Sequence, residues 1–410
     1  MDKKSYDALS SDLESINETG AIENSDIRFL YDSHILCKNP KDEYLICKSM
    51  ILDRRNDETD MHLTIAPTMD CCFSCYYCFE RNKRPTYMSY KTVDAIIKLI
   101  CHFKALKHLH ITWFGGEPLM AVDVIDYFST KIISTFKGHY SADILTTAFH
   151  INGKVIDVLK RSHITEMQIS IDGKENSHNA IKFTSSGENS FRKIMDNILL
   201  LSDKYPSLNI GVRVNLTKQN YEEYTDLYYD FSKRFTGRKI SIFPGFVVSR
   251  NNGIESECLF SRNEVSLFSL NLWNMHKIPT PWIIYQKEQS ECAIRKKNSL
   301  VIDASGNVYK CWEKLGDENH KIGKLSQDGH IIDIDNLQLT RYLYGADILD
   351  DEKCRECSML PICFGGCPIL RLENVYEKKR NILCSSYKGK IKQWLSAYIE
   401  LKEYIDSSKD

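Results

Sequence analysis

The sequence predicts an α/β fold built on a partial (β/α)6 TIM-like barrel, and three observations predict it. From His62 onward, short β-branched or aromatic runs alternate with amphipathic helical segments, the pattern of βα units around a parallel sheet. Six strands can be counted: His62 to Ala66, His108 to Phe114, Asp143 to His150, Glu166 to Ile171, Asn209 to Leu216 and Lys239 to Phe246. Polar and glycine-containing motifs follow these strands, at the C-terminal ends where barrels place their chemistry.

Taken in order, residues 1–60 read as a polar lead-in whose apolar runs, Ile27 to Leu30 and Tyr44 to Met50, form a helix and strands. This appendage either packs on the barrel or docks a peptide as an extra strand. The barrel spans 61–285, with helical stretches from Ser89 to Leu106, Val122 to Phe136 and Phe191 to Tyr205 and with Ser89 and Ser190 as N-caps. On the fourth strand Ser170 and Asp172 share one face while Ile169 and Ile171 take the other. The fifth repeats this with Arg213 and Asn215 against Val212 and Val214, so polar side chains line the interior and aliphatic ones meet the outer helices. A helix from Ser261 to Lys277 opens on Ser261 and Glu264 at capping-box spacing. A cysteine-rich region covers 286–390, where Ile302 to Val308 reads as a hairpin turning at Ser305-Gly306-Asn307 that brings Cys292 and Cys311 together. The tail, 391–410, has helical spacing from Lys390 to Tyr404 and is expected to pack on the barrel or the cysteine-rich region.

The composition narrows the partners. In 410 residues, 54 basic side chains balance 55 acidic ones, so no net field steers the protein toward nucleic acid or an anionic membrane. A small molecule or a peptide is the expected partner. Met1 to Leu13 lacks the apolar core of a signal peptide and no apolar run is long enough to span a bilayer, which implies a cytoplasmic protein. Fifteen cysteines in that compartment argue for metal clusters over disulfides.

Ten of those cysteines fall into two patterns. Cys71, Cys75 and Cys78 make a Cys-x3-Cys-x2-Cys loop. Structural zinc wants a fourth ligand close by, whereas three thiolates on a four-iron cluster leave one iron open. The second pattern starts at Cys292, runs through Gly306 to Cys311, continues as Cys354-x2-Cys357-x5-Cys363-x3-Cys367 and ends at Cys384. Taken alone, its Cys-x2-Cys would read as a zinc knuckle. Cys37, Cys47, Cys72, Cys101 and Cys258 read as small buried apolar residues.

The first loop, with Tyr77 before its last cysteine, resembles the signature of the radical S-adenosylmethionine (radical SAM) enzymes. The residue after the first cysteine is often Asn in that family and is Cys72 here. The resemblance implies a [4Fe-4S] cluster whose open iron chelates SAM and cleaves it to a 5′-deoxyadenosyl radical, chemistry that the cofactor carries. Gly115-Gly116-Glu117-Pro118 resembles the family motif that contacts the SAM amino group: glycine admits close backbone approach and the glutamate accepts from an ammonium. By the same resemblance Ser170 contacts the SAM ribose or carboxylate. Lys182 stands near the place of a family arginine without its bidentate geometry. Asp172, Arg213 and Asn215 belong either to SAM binding or to a buried polar network.

The seven later cysteines resemble the SPASM domain of radical SAM peptide and protein maturases. That implies two auxiliary clusters, one on Cys292, Cys311 and Cys367 and one on Cys354, Cys357, Cys363 and Cys384, hence three [4Fe-4S] clusters in all. The first auxiliary set lacks the cysteine that sulfatase-maturating relatives carry where this chain has Asn298. The expected activity is hydrogen abstraction from a residue of a ribosomal precursor peptide (a RiPP), leading to a thioether or carbon–carbon crosslink, with a flavodoxin or ferredoxin as electron donor. An open iron on the incomplete cluster would bind a substrate thiolate. Glu313 would then serve as the catalytic proton acceptor, or is a plain exposed hairpin carboxylate. The rival activity is anaerobic sulfatase maturation, the oxidation of Cys or Ser to formylglycine. There an Asp follows the cysteine that Trp312 and Glu313 follow here. A reading from another class, a non-catalytic iron-sulfur electron carrier, leaves the Gly115 to Pro118 motif without a use.

Overall fold

The computed structural model describes residues 40–80, 84–184, 187–248, 256–280 and 291–407. Six parallel strands run in sequence order: β1 (Asp60–Ile65), β2 (His108–Trp113), β3 (His139–Thr146), β4 (Ile164–Ile171), β5 (Asn209–Leu216) and β6 (Ile240–Phe246). Period-two burial explains their order. Leu63, Ile111, Ile144, Ile169, Val212 and Val214 are fully buried on the face that meets the outer helices. Ser170, Arg213 and Asn215 line an interior cavity instead. Each aliphatic side chain so buried contributes roughly 1.5–3 kcal/mol, which makes this face the dominant core.

The third strand is displaced from its expected position: it starts at His139 and ends at Thr146. Ala148, fully buried at a positive φ of 56°, lies in the bend that follows. Asn152 therefore lies well past the strand end and serves a helix, its side chain accepting from the Val155 amide at 3.0 Å.

The helices start where their caps dictate. Ser89 accepts from the Thr92 amide at the head of Tyr90–His102, and Ser261 with Glu264 completes the expected capping box on Arg262–His276. Ser190 does not cap its helix. Asn189 does, and Ser190 is buried one position inside, donating to the Lys182 carbonyl at 2.5 Å. Asn wins because its carbonyl reaches the Arg192 amide at 3.0 Å.

The cysteine-rich region is continuous with the barrel sheet, which the sequence pattern did not indicate. β7 (Ser299–Ile302) pairs in parallel with β1, His62 opposite Ser299. It then turns into β8 (Asn307–Tyr309), β9 (Gly323–Leu325) and β10 (Ile331–Ile332), all antiparallel, giving an open ten-stranded sheet with β6 and β10 at its edges. The expected hairpin is β7–β8. Asp303 accepts from the Ser305 and Asn307 amides, and Gly306 takes a φ of 80°.

Of the lead-in, Ile27 to Leu30 and Cys37 lie outside the described residues, as does the expected domain boundary near 285. Tyr44 to Met50 is helical throughout, within Pro40–Asn56. Cys47 and Ile51 of that helix pack against Ile348, Leu349 and Leu360. At its end Arg55 pairs with Glu291 and Asp347, each at 2.5 Å, and all three side chains are less than a tenth exposed. The helix Ile391–Ser407 packs Trp394, Tyr398 and Leu401 on Leu270 and Trp273 of the helix after β6. Its Trp394 donates to Ser266 at 2.9 Å. Among the described residues no helix is long and apolar enough to cross a membrane.

Replacing Arg55 with Met should strand two buried carboxylates and lower stability by about 3–5 kcal/mol. Denaturant midpoints of the two proteins measure this directly, and a change below 1 kcal/mol would mean that the pair does not anchor the helix.

Candidate functional site

The three-cysteine loop is held against the sheet by backbone contacts that only glycine permits. The Gly116 amide donates to the Thr68 carbonyl at 3.1 Å and the Glu117 amide to the Asp70 carbonyl at 2.8 Å, one residue before Cys71. A Cβ on Gly116 would stand 2.0 Å from the Asp70 oxygen, and Gly115 adopts a φ of 111°. The pair thus fixes how the chain enters the loop, besides opening a cavity wall.

Glu117 is fully buried and already satisfied. Its carboxylate accepts from Thr146 Oγ1 at 2.5 Å, from the Thr147 hydroxyl at 2.5 Å and amide at 2.8 Å, and from the Leu119 amide at 3.1 Å. It clamps the end of β3 to β2 and does not line the cavity. Thr146 and Thr147 do, and the sequence reading passed over them because it carried the strand on to His150.

A second anchor is polar. The Tyr77 hydroxyl donates to Asp172 at 2.5 Å, Asn215 donates to Tyr77 at 3.0 Å and to Asp172 at 3.2 Å, and Lys182 forms an ion pair with Asp172. Asp172 is 0 % exposed and Lys182 2 %. Burial alone pushes the Asp172 carboxyl up, but Lys182, His178 and the Tyr77 hydroxyl outweigh it and hold the group below the usual carboxylate range. Burial likewise pulls the Lys182 amine down, and Asp172 with Cys75 more than restores it. Burial, with Asp172 beside it, drives the Tyr77 phenol far up, so it stays a donor. Lys182 therefore faces Asp172 and stays out of the cavity wall, and Asp172 and Asn215 form the buried network that the sequence left as one alternative.

Between these anchors lies a cavity of about 300 Å³. Cys78 of the loop, Gly115 and Gly116 after β2, Thr147 after β3, Ser170 of β4, Arg213 and Asn215 of β5, and Trp312 with Glu313 line it. Arg213 lies across Gly245, where a Cβ would fall 2.0 Å from its Nε. Burial lowers the pKa of its guanidinium, opposed by Tyr77, Asp172 and Glu313. Phe79 stacks on Phe114 at 6.1 Å, and Phe114 meets Trp312 at 5.8 Å. The sequence did not assign these rings to the site, since nothing in their spacing connects them.

The thiols suit a cluster. Burial pushes Cys78 up to about 12 and raises Cys75, so neither ionises near neutrality unless a metal replaces its proton. The Glu80 amide already points at Cys78 Sγ at 3.4 Å. Among the described residues, no three His, Cys, Asp or Glu side chains converge closely enough for a single ion. A four-iron cluster keeps its ligands farther apart.

Cys354, Cys357, Cys363 and Cys384 wall a cavity of about 170 Å³. Cys311, whose thiol burial pushes up to about 12, feels the charges of Glu313, Cys292 and Cys367. Asn298 turns away, its amide donating to the Asp57 carbonyl at 3.3 Å. Glu313 thus belongs to the cavity wall as well as to the neighbourhood of this cysteine set.

Residues 65–229 match the model of the Radical SAM superfamily. The chain is 24% identical over 354 residues to a cysteine-type anaerobic sulfatase-maturating enzyme of Clostridium novyi, covering 78% of this chain and 91% of that protein. It shares its fold with anSMEcpe carrying bound AdoMet and Cp18Cys peptide, at a TM-score of 0.63 and 16% identity over 86% of this chain and 100% of that one. It also shares it with Streptococcus suis SuiB bound to precursor peptide SuiA, at a TM-score of 0.56 and 16% identity over 92% and 88%.

Asp172→Asn should leave the Lys182 charge buried and unpaired, lowering stability by about 3–5 kcal/mol. Tyr77→Phe removes the bond donated to Asp172 and those accepted from Asn215 and Lys182 but leaves the Lys182–Asp172 ion pair, and should lower it by a smaller amount, about 1–2 kcal/mol. Equal losses in the two denaturation curves would contradict a network centred on Asp172.

Proposed function

We propose that this radical SAM enzyme, related in sequence to sulfatase maturases, is a peptide maturase that crosslinks a ribosomally made precursor through a thioether or carbon–carbon bond. The observation that carries this is the wall formed by Trp312 and Glu313. Both line the barrel cavity, and both directly follow Cys311, so a substrate in the cavity lies between the three-cysteine loop and the second cysteine set. The two structures of the same fold named above hold bound peptides, which supports a peptide as the occupant.

When bound, SAM and a cluster on Cys71, Cys75 and Cys78 supply the one-electron C–H chemistry that no acid or base side chain performs. The chain's own residues bind and orient. Gly115 and Gly116 offer backbone to the SAM amino group, and Tyr77 keeps the cysteine loop seated on Asp172. Ser170 and Arg213 line the cavity and would hold the ribose and carboxylate of SAM, since a guanidinium fork suits a carboxylate. Phe79, Phe114 and Trp312 keep water from the cavity. Glu313, set against Arg213, takes a proton from the substrate. Cys354, Cys357, Cys363 and Cys384 would hold one auxiliary cluster, and Cys292, Cys311 and Cys367 would hold a second and leave it able to take a substrate thiolate, Asn298 donating instead to the Asp57 carbonyl. A flavodoxin or ferredoxin supplies electrons.

Formylglycine formation is the second reading, favoured by the sequence likeness to the Clostridium novyi enzyme. Trp312-Glu313 in place of the aspartate of that branch favours the crosslink.

The cysteine loop is tested by replacing Cys71, Cys75 and Cys78 with Ala. Reductive formation of 5′-deoxyadenosine should stop while iron falls from about 12 to about 8 per chain. Retained deoxyadenosine would refute the assignment.

Coexpression with short cysteine-containing peptides encoded beside the gene separates the two activities. A crosslink removes a pair of hydrogens, retains sulfur and ties two residues together in fragmentation spectra. A product that has exchanged its sulfur for an aldehyde oxygen would identify formylglycine instead.

A further inference from the structure

Arg371 is 5 % exposed and takes no part in the chemistry proposed above. It sits on the helix Pro368–Tyr376, just after Cys367, and reaches into the wall of the smaller cysteine cavity. There Nη1 donates to Cys354 Sγ at 3.6 Å and to the Gly365 carbonyl at 3.4 Å, and Nε donates to the Ala346 carbonyl at 3.1 Å. Nη2 pairs with Asp351. Asp351 in turn caps the short helix Glu352–Arg355, accepting from the Lys353 and Cys354 amides at 3.0 and 3.3 Å. Guanidinium, cap and Cys354 are thus locked together. Across the cavity, exposed Lys388 donates to Cys384 Sγ at 3.4 Å. Two of the four sulfurs therefore each receive a hydrogen bond from a cationic side chain.

Resting on the reading that these four cysteines hold an iron-sulfur cluster, we propose that Arg371, assisted by Lys388, raises the reduction potential of that cluster. One-electron reduction adds one negative charge, shared over the irons and sulfurs, with no proton transferred. N–H donors aimed at sulfur, and positive charge beside it, favour the more negative state. A guanidinium brings both positive charge and a rigid fork of N–H donors to the sulfur. Asp351 balances part of that charge, which leaves the directed N–H···S bond as the larger contribution. Lys388 is fully exposed, so its effect is smaller and weakens with salt.

The test is a dithionite titration followed by EPR on anaerobically reconstituted full-length protein. A Cys354→Ala/Cys357→Ala variant first assigns the signal. If that variant keeps all its iron and every signal, the cluster reading fails and this proposal falls with it. With the signal assigned, Arg371→Met should lower its midpoint by about 59 mV, a tenfold change for a one-electron couple, and Arg371→Lys should restore part of the shift. Lys388→Met should give a smaller downward shift that fades in high salt, with the other two signals unmoved in every variant. Full iron content with an unmoved potential in Arg371→Met would overturn the proposal, leaving Arg371 a structural residue. Should Arg371→Met fail to fold, Arg371→Lys decides in its place: it keeps the charge but loses the guanidinium fork, so a midpoint unmoved from wild type would overturn the proposal.

Discussion

The carboxylate of Asp172 is the constraint on which the rest of the site depends. It is fully buried just past the end of β4, and three parts of the chain converge on it: Tyr77 from the cysteine loop, Lys182 beyond the following helix and Asn215 from β5. An unpaired charge at that depth would be costly. The energy that keeps Asp172 paired therefore also keeps the cysteine loop at one height above the sheet. Asn220 adds a bond to the Asp172 carbonyl at 3.1 Å, drawing the β5–helix turn into the same network.

The glycine pair does from the other side what Asp172 does from below. Gly115 and Gly116 let the Thr68–Asp70 backbone come so close that side chains are excluded, and Glu117 then locks the turn after β2 to the end of β3 through three hydrogen bonds. The motif is at once a cavity wall and a structural clamp, because a backbone that must approach a ligand closely can equally approach another strand. Trp312 and Glu313 reach the same cavity only because β7 joins the sheet beside β1 and carries the cysteine-rich region with it. Arg55, between Glu291 and Asp347, ties the first described helix to that region from outside.

The sequence alone determined the parallel strands, the helix caps at Ser89 and Ser261, the inward-facing Ser170, Arg213 and Asn215, and the two cysteine groups. These rest on short-range rules: a period of two along a strand, the reach of a capping side chain, the spacing of cysteines in a loop. Only the tertiary structure decided what depends on meetings between distant segments. It set the end of β3 at Thr146, because Glu117, in the turn after β2, fixes Thr146 and Thr147. It gave Lys182 to Asp172, since a buried amine goes to the nearest buried carboxylate. It made the cysteine-rich hairpin part of the barrel sheet, because the free edge of β1 offers unpaired backbone groups that β7 satisfies. It also set Phe79, Phe114 and Trp312 around one cavity. No local pattern encodes that grouping, since three separate loops bring the rings together and the hydrophobic effect that packs them has no preferred direction.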